Sequence, residues 1–161
     1  MLNASETKPV HGPAAPANQV LFLCSGNYYR SRFAEAVFNY HCDRRQLGWR
    51  AYSRGLAIHL APPNHLSPAT RIGLRLRGIP FHHTAAEKQA VTAADMRKAA
   101  VCIALKEIEH RPLIQTLFPG WEDRVIYWDI HDVDVALPGA MLPMLEQKVM
   151  MLIEKLTGCR P

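Results

Sequence analysis

The chain has 161 residues, 48% hydrophobic and 20% charged, the balance of an ordinary globular domain rather than of a fibrous or disordered chain. Lys and Arg total 19 against 14 acidic residues, a formal charge of +5 that favours anionic partners. No apolar run approaches the ~20 residues of a membrane span, and four cysteines with no CxxC spacing do not form a disulfide framework.

One domain is expected at this length. The opening MLNASETKPVHGPAAPANQ has neither the basic start nor the apolar stretch of a secretion signal, which predicts a cytoplasmic protein. Residues 1–18 lack periodicity and are expected to form a disordered tail, with the domain spanning 19–158. Val20 to Leu23 is a wholly apolar run that fits a central buried strand. The segment after Arg30 carries Phe33, Val37 and Tyr40 at helical spacing with charges elsewhere, and Gly48 stops it. Trp49 to Tyr52 is a second strand, the proline-rich stretch from Ala61 is a connection, and Leu66 to Leu76 is a helix. A short strand is predicted near Phe81, and Thr92 looks like the cap of a brief helix through Lys98. Ala100 to Leu105 reads as a buried strand, Glu107 to Leu117 as a helix and Arg124 to Trp128 as a further strand. Beyond Pro138, Leu142, Leu145, Val149, Leu152 and Leu156 mark one face of a long terminal helix, with Met141, Met144, Met150 and Met151 as core filler. Alternating strands and helices predict an α/β fold, a parallel sheet covered on both faces.

Between the first strand and first helix lies CSGNYYRS, where five residues separate Cys24 from Arg30 and Ser31 follows. The spacing is a weak signal alone, but the loop sits where open parallel sheets place their ligands. The loop amides of Ser25, Gly26, Asn27, Tyr28, Tyr29, Arg30 and Ser31 can converge on one spot, and the helix dipole adds positive charge there. A tetrahedral oxyanion fits. Gly26 is expected to adopt the backbone angles of the curl, and the Arg30 guanidinium can grip two phosphate oxygens. Cys24, at the bottom of this field, is predicted to be a thiolate able to attack phosphorus and form a phosphocysteine, with Ser31 hydrogen-bonded to the sulfur.

At these residues the chain resembles the low-molecular-weight protein tyrosine phosphatases and the related thiol-dependent arsenate reductases. VLFLCSGNYYRSRFAEAVF is similar to the family signature, and YSRG, GIPFHHTA and VTAADMRKAAVCIAL resemble later family segments, so the likeness runs from Val20 to about Leu156. It implies a single three-layer domain on a central four-stranded parallel sheet, and a phosphomonoester hydrolase with phosphotyrosine as favoured substrate and no cofactor or metal. By the same likeness Cys24 is the nucleophile, Arg30 the phosphate clamp and Ser31 the thiolate partner. Asn27 holds the loop's shape, steadied by Ser53 and His83. The family's general acid stands in an Asp-Pro pair, whereas the region here reads YWDIHDVDVALP without one. Asp132 matches best, with Asp129 and Asp134 as alternatives.

Two departures bear on function. Tyr29 stands where the family commonly has a second cysteine, and Tyr28 and Tyr29 either line the substrate pocket or pack beneath the loop. Arg32 replaces the usual proline. His59 lies where the family places residues around the pocket mouth. Arsenate reduction needs further reactive thiols, and Cys42, Cys102 and Cys159 do not pair at short spacing. The eight histidines show no ligand spacing for a metal. A non-enzymatic alternative is a phosphate-binding module that keeps the cradle without turnover. The expected partners are a phosphorylated protein or small phosphoester, with no nucleic acid or membrane, and the sequence says nothing of oligomeric state.

Overall fold

The computed structural model describes residues 18–132 and 138–160; the tail reading, and Asp134 with it, lie outside them. The elements run β1 (Gln19–Cys24), α1 (Arg30–Arg45), β2 (Arg50–Gly55), α2 (Pro68–Leu76), α3 (Ala93–Lys98), β3 (Val101–Ala104), α4 (Glu107–Leu117), β4 (Ile126–Tyr127) and α5 (Pro138–Thr157). Four strands form one all-parallel sheet in the order β2-β1-β3-β4.

β1 is buried along its whole length because both faces of the sheet are covered. Its side chains alternate: Val20, Phe22 and Cys24 face one core with Phe33, Val37 and Leu145, while Leu21 and Leu23 face another with Met96, Ile114 and Val125. Phe22 sits between Phe38 and Trp128, with ring centroids 6.1 and 5.8 Å away. Asn39 joins α1 to β2, its Nδ2 donating to Ala51 O at 3.0 Å and its Oδ1 accepting from Ala51 N at 2.8 Å.

Several expectations change. β2 extends to Gly55 because every residue of β1 finds a partner in it, ending with Cys24 opposite Gly55. Phe81–His83 is a single 3₁₀ turn rather than a strand. α1 is not amphipathic: Arg30 through Asn39 are all buried, Arg32, Glu35 and Asn39 included, because sheet, α2, α5 and the 81–83 turn enclose it. It ends at Arg45, before Gly48, with Gln46 in the left-handed region. Of the four methionines on α5, Met141 is buried and Met150 partly so, but Met144 and Met151 are exposed. α2 begins at Pro68, where Ser67 caps it by accepting from Thr70 N at 3.0 Å. At α3 the Thr92 cap is completed by Asp95 in a reciprocal capping box. Among the described residues no helix is long and apolar enough to cross a membrane.

Candidate active site

All four strands point the same way, so their carboxyl ends deliver Cys24, Gly55, Lys106 and the Trp128–Asp132 segment to one edge of the sheet. Residues 25–29 link Cys24 to α1, whose N-terminus has no side-chain cap. Its first N–H groups thus have no side-chain acceptor, and the helix dipole adds partial positive charge at this end of the loop.

The left-handed residue of the loop is Asn27 (φ 49°), not Gly26. Asparagine tolerates this region better than most residues. Gly26 is required for a different reason: a Cβ there would lie 2.9 Å from the Ala61 Cβ. Gly55 is equally confined, since a Cβ would meet Ser25 O at 2.9 Å and Asn27 Cβ at 3.0 Å.

Asn27 is held by three hydrogen bonds. Its Nδ2 donates to Ser31 Oγ (3.0 Å) and Ser53 Oγ (2.9 Å), and its Oδ1 accepts from Gln89 N (2.8 Å). The Ser31 oxygen, which accepts from Asn27, also lies 2.9 Å from Cys24 Sγ, and its hydroxyl is the donor there when the sulfur is a thiolate. Ser53 in turn donates to Glu35 Oε2 at 2.7 Å, and Thr84 Oγ1 donates to the same oxygen at 2.7 Å. The donor direction runs outward from Asn27 through Ser53 to Glu35, and the other branch links Asn27 through Ser31 to Cys24. Burial pushes the Glu35 carboxyl up, opposed by these hydroxyl donors and by Arg32. Glu35 was not singled out by sequence, although it shares a helical face with Ser31.

Arg32 turns away from the mouth. It is buried, and donates to Thr84 Oγ1 (2.7 Å), His65 O (2.7 Å) and Ala85 O, so it clasps two separate segments instead of greeting an anion. His83 does not reach Asn27. Its ring lies against Tyr40, its Nδ1 is 3.3 Å from Asp43 Oδ2, and Gln89 N is the third partner of Asn27 instead.

Arg30 is 1% exposed, and three acceptors fix its guanidinium: Ile130 O on Nη1 (3.0 Å), with Glu109 Oε2 (2.9 Å) and Asp132 Oδ2 (3.0 Å) on Nη2. Burial opposes its charge, but Cys24, Glu109 and Asp132 outweigh that and raise its pKa. Glu109 escaped sequence reading, as did its neighbour His110. The fully buried His110 accepts Lys106 N on Nδ1 (3.0 Å) and sets Nε2 3.2 Å from Ser25 Oγ. Burial, then the charge of Arg30, pushes its pKa down to about 3.

A cavity of ≈250 Å³ opens above the loop, lined by Cys24, Arg30 and Asp132 together with Tyr28, Tyr29, Leu60 and Pro62. Tyr29 both lines it and packs into the core; its hydroxyl is buried without a hydrogen-bond partner, and burial raises its pKa to about 12. Asp129 instead pairs with Lys106, which lowers its pKa, and is not among the lining residues. His59 is exposed on the turn at 58–60 and does not line the cavity. A larger groove of ≈820 Å³ lies beyond the 61–65 strap beside Arg32, His65 and Arg71. Cys42 and Cys102 are buried, with thiols pushed up by burial to about 12 and about 11, while Cys159 is exposed.

This cysteine-and-arginine loop on a four-stranded parallel sheet matches a known pattern. The profile of the Low molecular weight phosphotyrosine protein phosphatase family fits residues 19–136. The chain belongs to that family. It is a family of cysteine-based phosphatases acting on phosphorylated substrates, and Cys24 stands within the matched residues. A comparison with curated proteins gives no match. Among solved structures, the YwlE arginine phosphatase of Geobacillus stearothermophilus is 25% identical, with TM-score 0.69 over 86% of this chain and 92% of that one. SP-PTP, a low molecular weight protein tyrosine phosphatase of Streptococcus pyogenes, is 18% identical, with TM-score 0.72 over 86% of this chain and 93% of that one. The tyrosine phosphatase AmsI of Erwinia amylovora is 17% identical, with TM-score 0.71 over 90% of this chain and 97% of that one.

Proposed function

We propose that the chain is a protein tyrosine phosphatase that works through a phosphocysteine on Cys24. The observation that carries this reading is the 2.9 Å approach of Ser31 Oγ to Cys24 Sγ beneath a cavity that Arg30 and Asp132 also line. The Cys24 thiolate attacks phosphorus in line as the bond to the ester oxygen breaks, and Asp132 supplies the proton that oxygen needs. In the second step Asp132 takes a proton from water, the water oxygen attacks phosphorus, and the sulfur–phosphorus bond breaks. The Ser31 proton stabilises the departing sulfur. Arg30 and the loop amides hold the equatorial oxygens throughout. Phosphate takes the place on Arg30 Nη2 that Asp132 now occupies, which releases the carboxylate toward the leaving group.

Tyr28 and Pro62 in the cavity wall favour a flat aromatic leaving group, which supports phosphotyrosine. A thiol nucleophile needs a reducing compartment, which supports a cytoplasmic setting. The one-domain reading, 19–158, belongs to the same proposal.

Hydrolysis of p-nitrophenyl phosphate tests the chemistry. Turnover is expected in the wild type and none in Cys24→Ser. Asp132→Asn is expected to lose far more activity on phenyl phosphate than on p-nitrophenyl phosphate, whose leaving group scarcely needs a proton, while Asp129→Asn stays near wild type. A dominant effect of Asp134→Asn would move the acid there. Phosphate binding without any turnover would favour a binding module, and arsenate turnover dependent on Cys42 or Cys102 would favour a reductase. Trapping with Cys24→Ser on phosphotyrosine and phosphoarginine peptides distinguishes the substrates.

A further inference from the structure

Helix α4 touches the phosphate loop at a point the mechanism above does not use. His110 Nδ1 accepts the Lys106 N–H, the backbone group at the start of its own helix, at 3.0 Å. An imidazole nitrogen that accepts carries no proton, so in the neutral ring the proton is on Nε2. That nitrogen faces Ser25 Oγ at 3.2 Å, with Glu109 Oε2 farther off at 3.5 Å. His110 is therefore the donor and the Ser25 oxygen the acceptor. The ring is entirely buried and stands beside the Arg30 charge, two conditions that disfavour a second proton.

The consequence falls on Ser25, which lines the cavity next to Cys24. With one lone pair committed to His110, its own hydrogen turns away from the ring. We propose that the Ser25 hydroxyl donates to an oxygen of the bound phosphoryl group, adding a side-chain donor to the backbone cradle, and that His110 is the positioning residue that aims it. This rests on the phosphatase reading for the identity of the ligand. The arrangement itself needs only an oxyanion in the cavity.

The probes are inorganic phosphate as competitive inhibitor and p-nitrophenyl phosphate as substrate. A hydrogen bond to a charged acceptor corresponds to roughly a tenfold effect or more. Ser25→Ala is thus expected to weaken phosphate binding about tenfold and to lower kcat/KM alike. His110→Leu is expected to match it, His110→Gln, which keeps an N–H donor, to restore part of the loss, and the Ser25→Ala/His110→Leu double variant to lose no more than Ser25→Ala alone. Nitrogen-15 spectra of the imidazole supply a readout independent of turnover. They should show one neutral Nε2–H tautomer from pH 5 to 8 whose proton resonance moves on adding phosphate in the wild type and stays in Ser25→Ala. Wild-type phosphate affinity in Ser25→Ala, or losses that multiply in the double variant, would overturn the proposal. An absence of wild-type turnover would count against the phosphatase reading alone, since phosphate binding and the spectra still decide the role of Ser25.

Discussion

The two flanks of the loop between Cys24 and α1 are built on different physics. On the β2 flank, Asn27 is tied to Ser31, Ser53 and Gln89, with Glu35 and Thr84 behind them, and every side chain in that set except the Gln89 backbone donor is buried. On the α4 flank the loop is held by Glu109 and Asp132, whose side chains are 32% and 36% exposed, and by one buried imidazole. Hydrogen bonds of fixed direction in a dry interior specify shape, because each unmade bond costs about 1–3 kcal/mol. Half-solvated charges specify potential, are screened, and exchange partners readily. The molecule thus keeps its geometry on one side and its charge adjustment on the other.

The sharpest way to break this contrast is Asn27→Ala. It strands the Gln89 N–H, removes two donors and puts alanine at φ 49°, so a loss of about 3 kcal/mol is expected in urea denaturation. A loss below about 1 kcal/mol would show that the β2 flank does not set the shape.

The next effect is a slope. Above pH 6.5 the His110 imidazole is neutral in both folded and unfolded chains. Between pH 6.5 and about 3 the unfolded chain binds a proton that the folded one refuses, so stability falls on acidification through that window. The linkage amounts to as much as ~1.4 kcal/mol per pH unit. Urea midpoints at pH 6.5, 5.5 and 4.5 should fall more steeply for the wild type than for His110→Leu.

Tyr29→Phe carries the opposite sign. Its hydroxyl is buried and unpartnered, so removing it is expected to stabilise the chain by about 1 kcal/mol, read as a rise in Tm. The smallest effect belongs to the solvated flank. Glu109→Gln removes a negative charge from Arg30 while keeping the side chain's shape, and should tighten inorganic phosphate binding about two- to fivefold at low salt, less at high salt. A stability loss like that of Asn27→Ala would place Glu109 with the rigid flank.

The same contrast separates what was legible in the sequence. CSGNYYRS could be read because its parts are adjacent and because an apolar strand and a helix bracket it. Thr92 and Glu107–Leu117 were legible for the same local reason. Glu35 was not, since its burial depends on hydroxyls 18 and 49 residues away, and a charge on a helix is ordinarily solvated. His110 and Ser25 are 85 residues apart. His83 was expected beside Asn27 because of its place in the resemblance, yet a histidine one turn from Pro80 packs wherever the 3₁₀ turn sends it, here onto Asp43 and Tyr40. Gly26 drew attention as the flexible residue when the unusual backbone angle belongs to Asn27, because a sequence shows where glycine stands but not whether conformation or crowding demands it.

That crowding makes Gly26 and Ala61 a composite position. One residue belongs to the floor of the cavity and the other to its wall, and a methyl gained by the first would strike the methyl of the second. Among descendants of this sequence, a larger side chain at 26 should arise only alongside glycine at 61 or a displaced strap, so the pair is expected to evolve in step even though 34 positions separate its members along the chain.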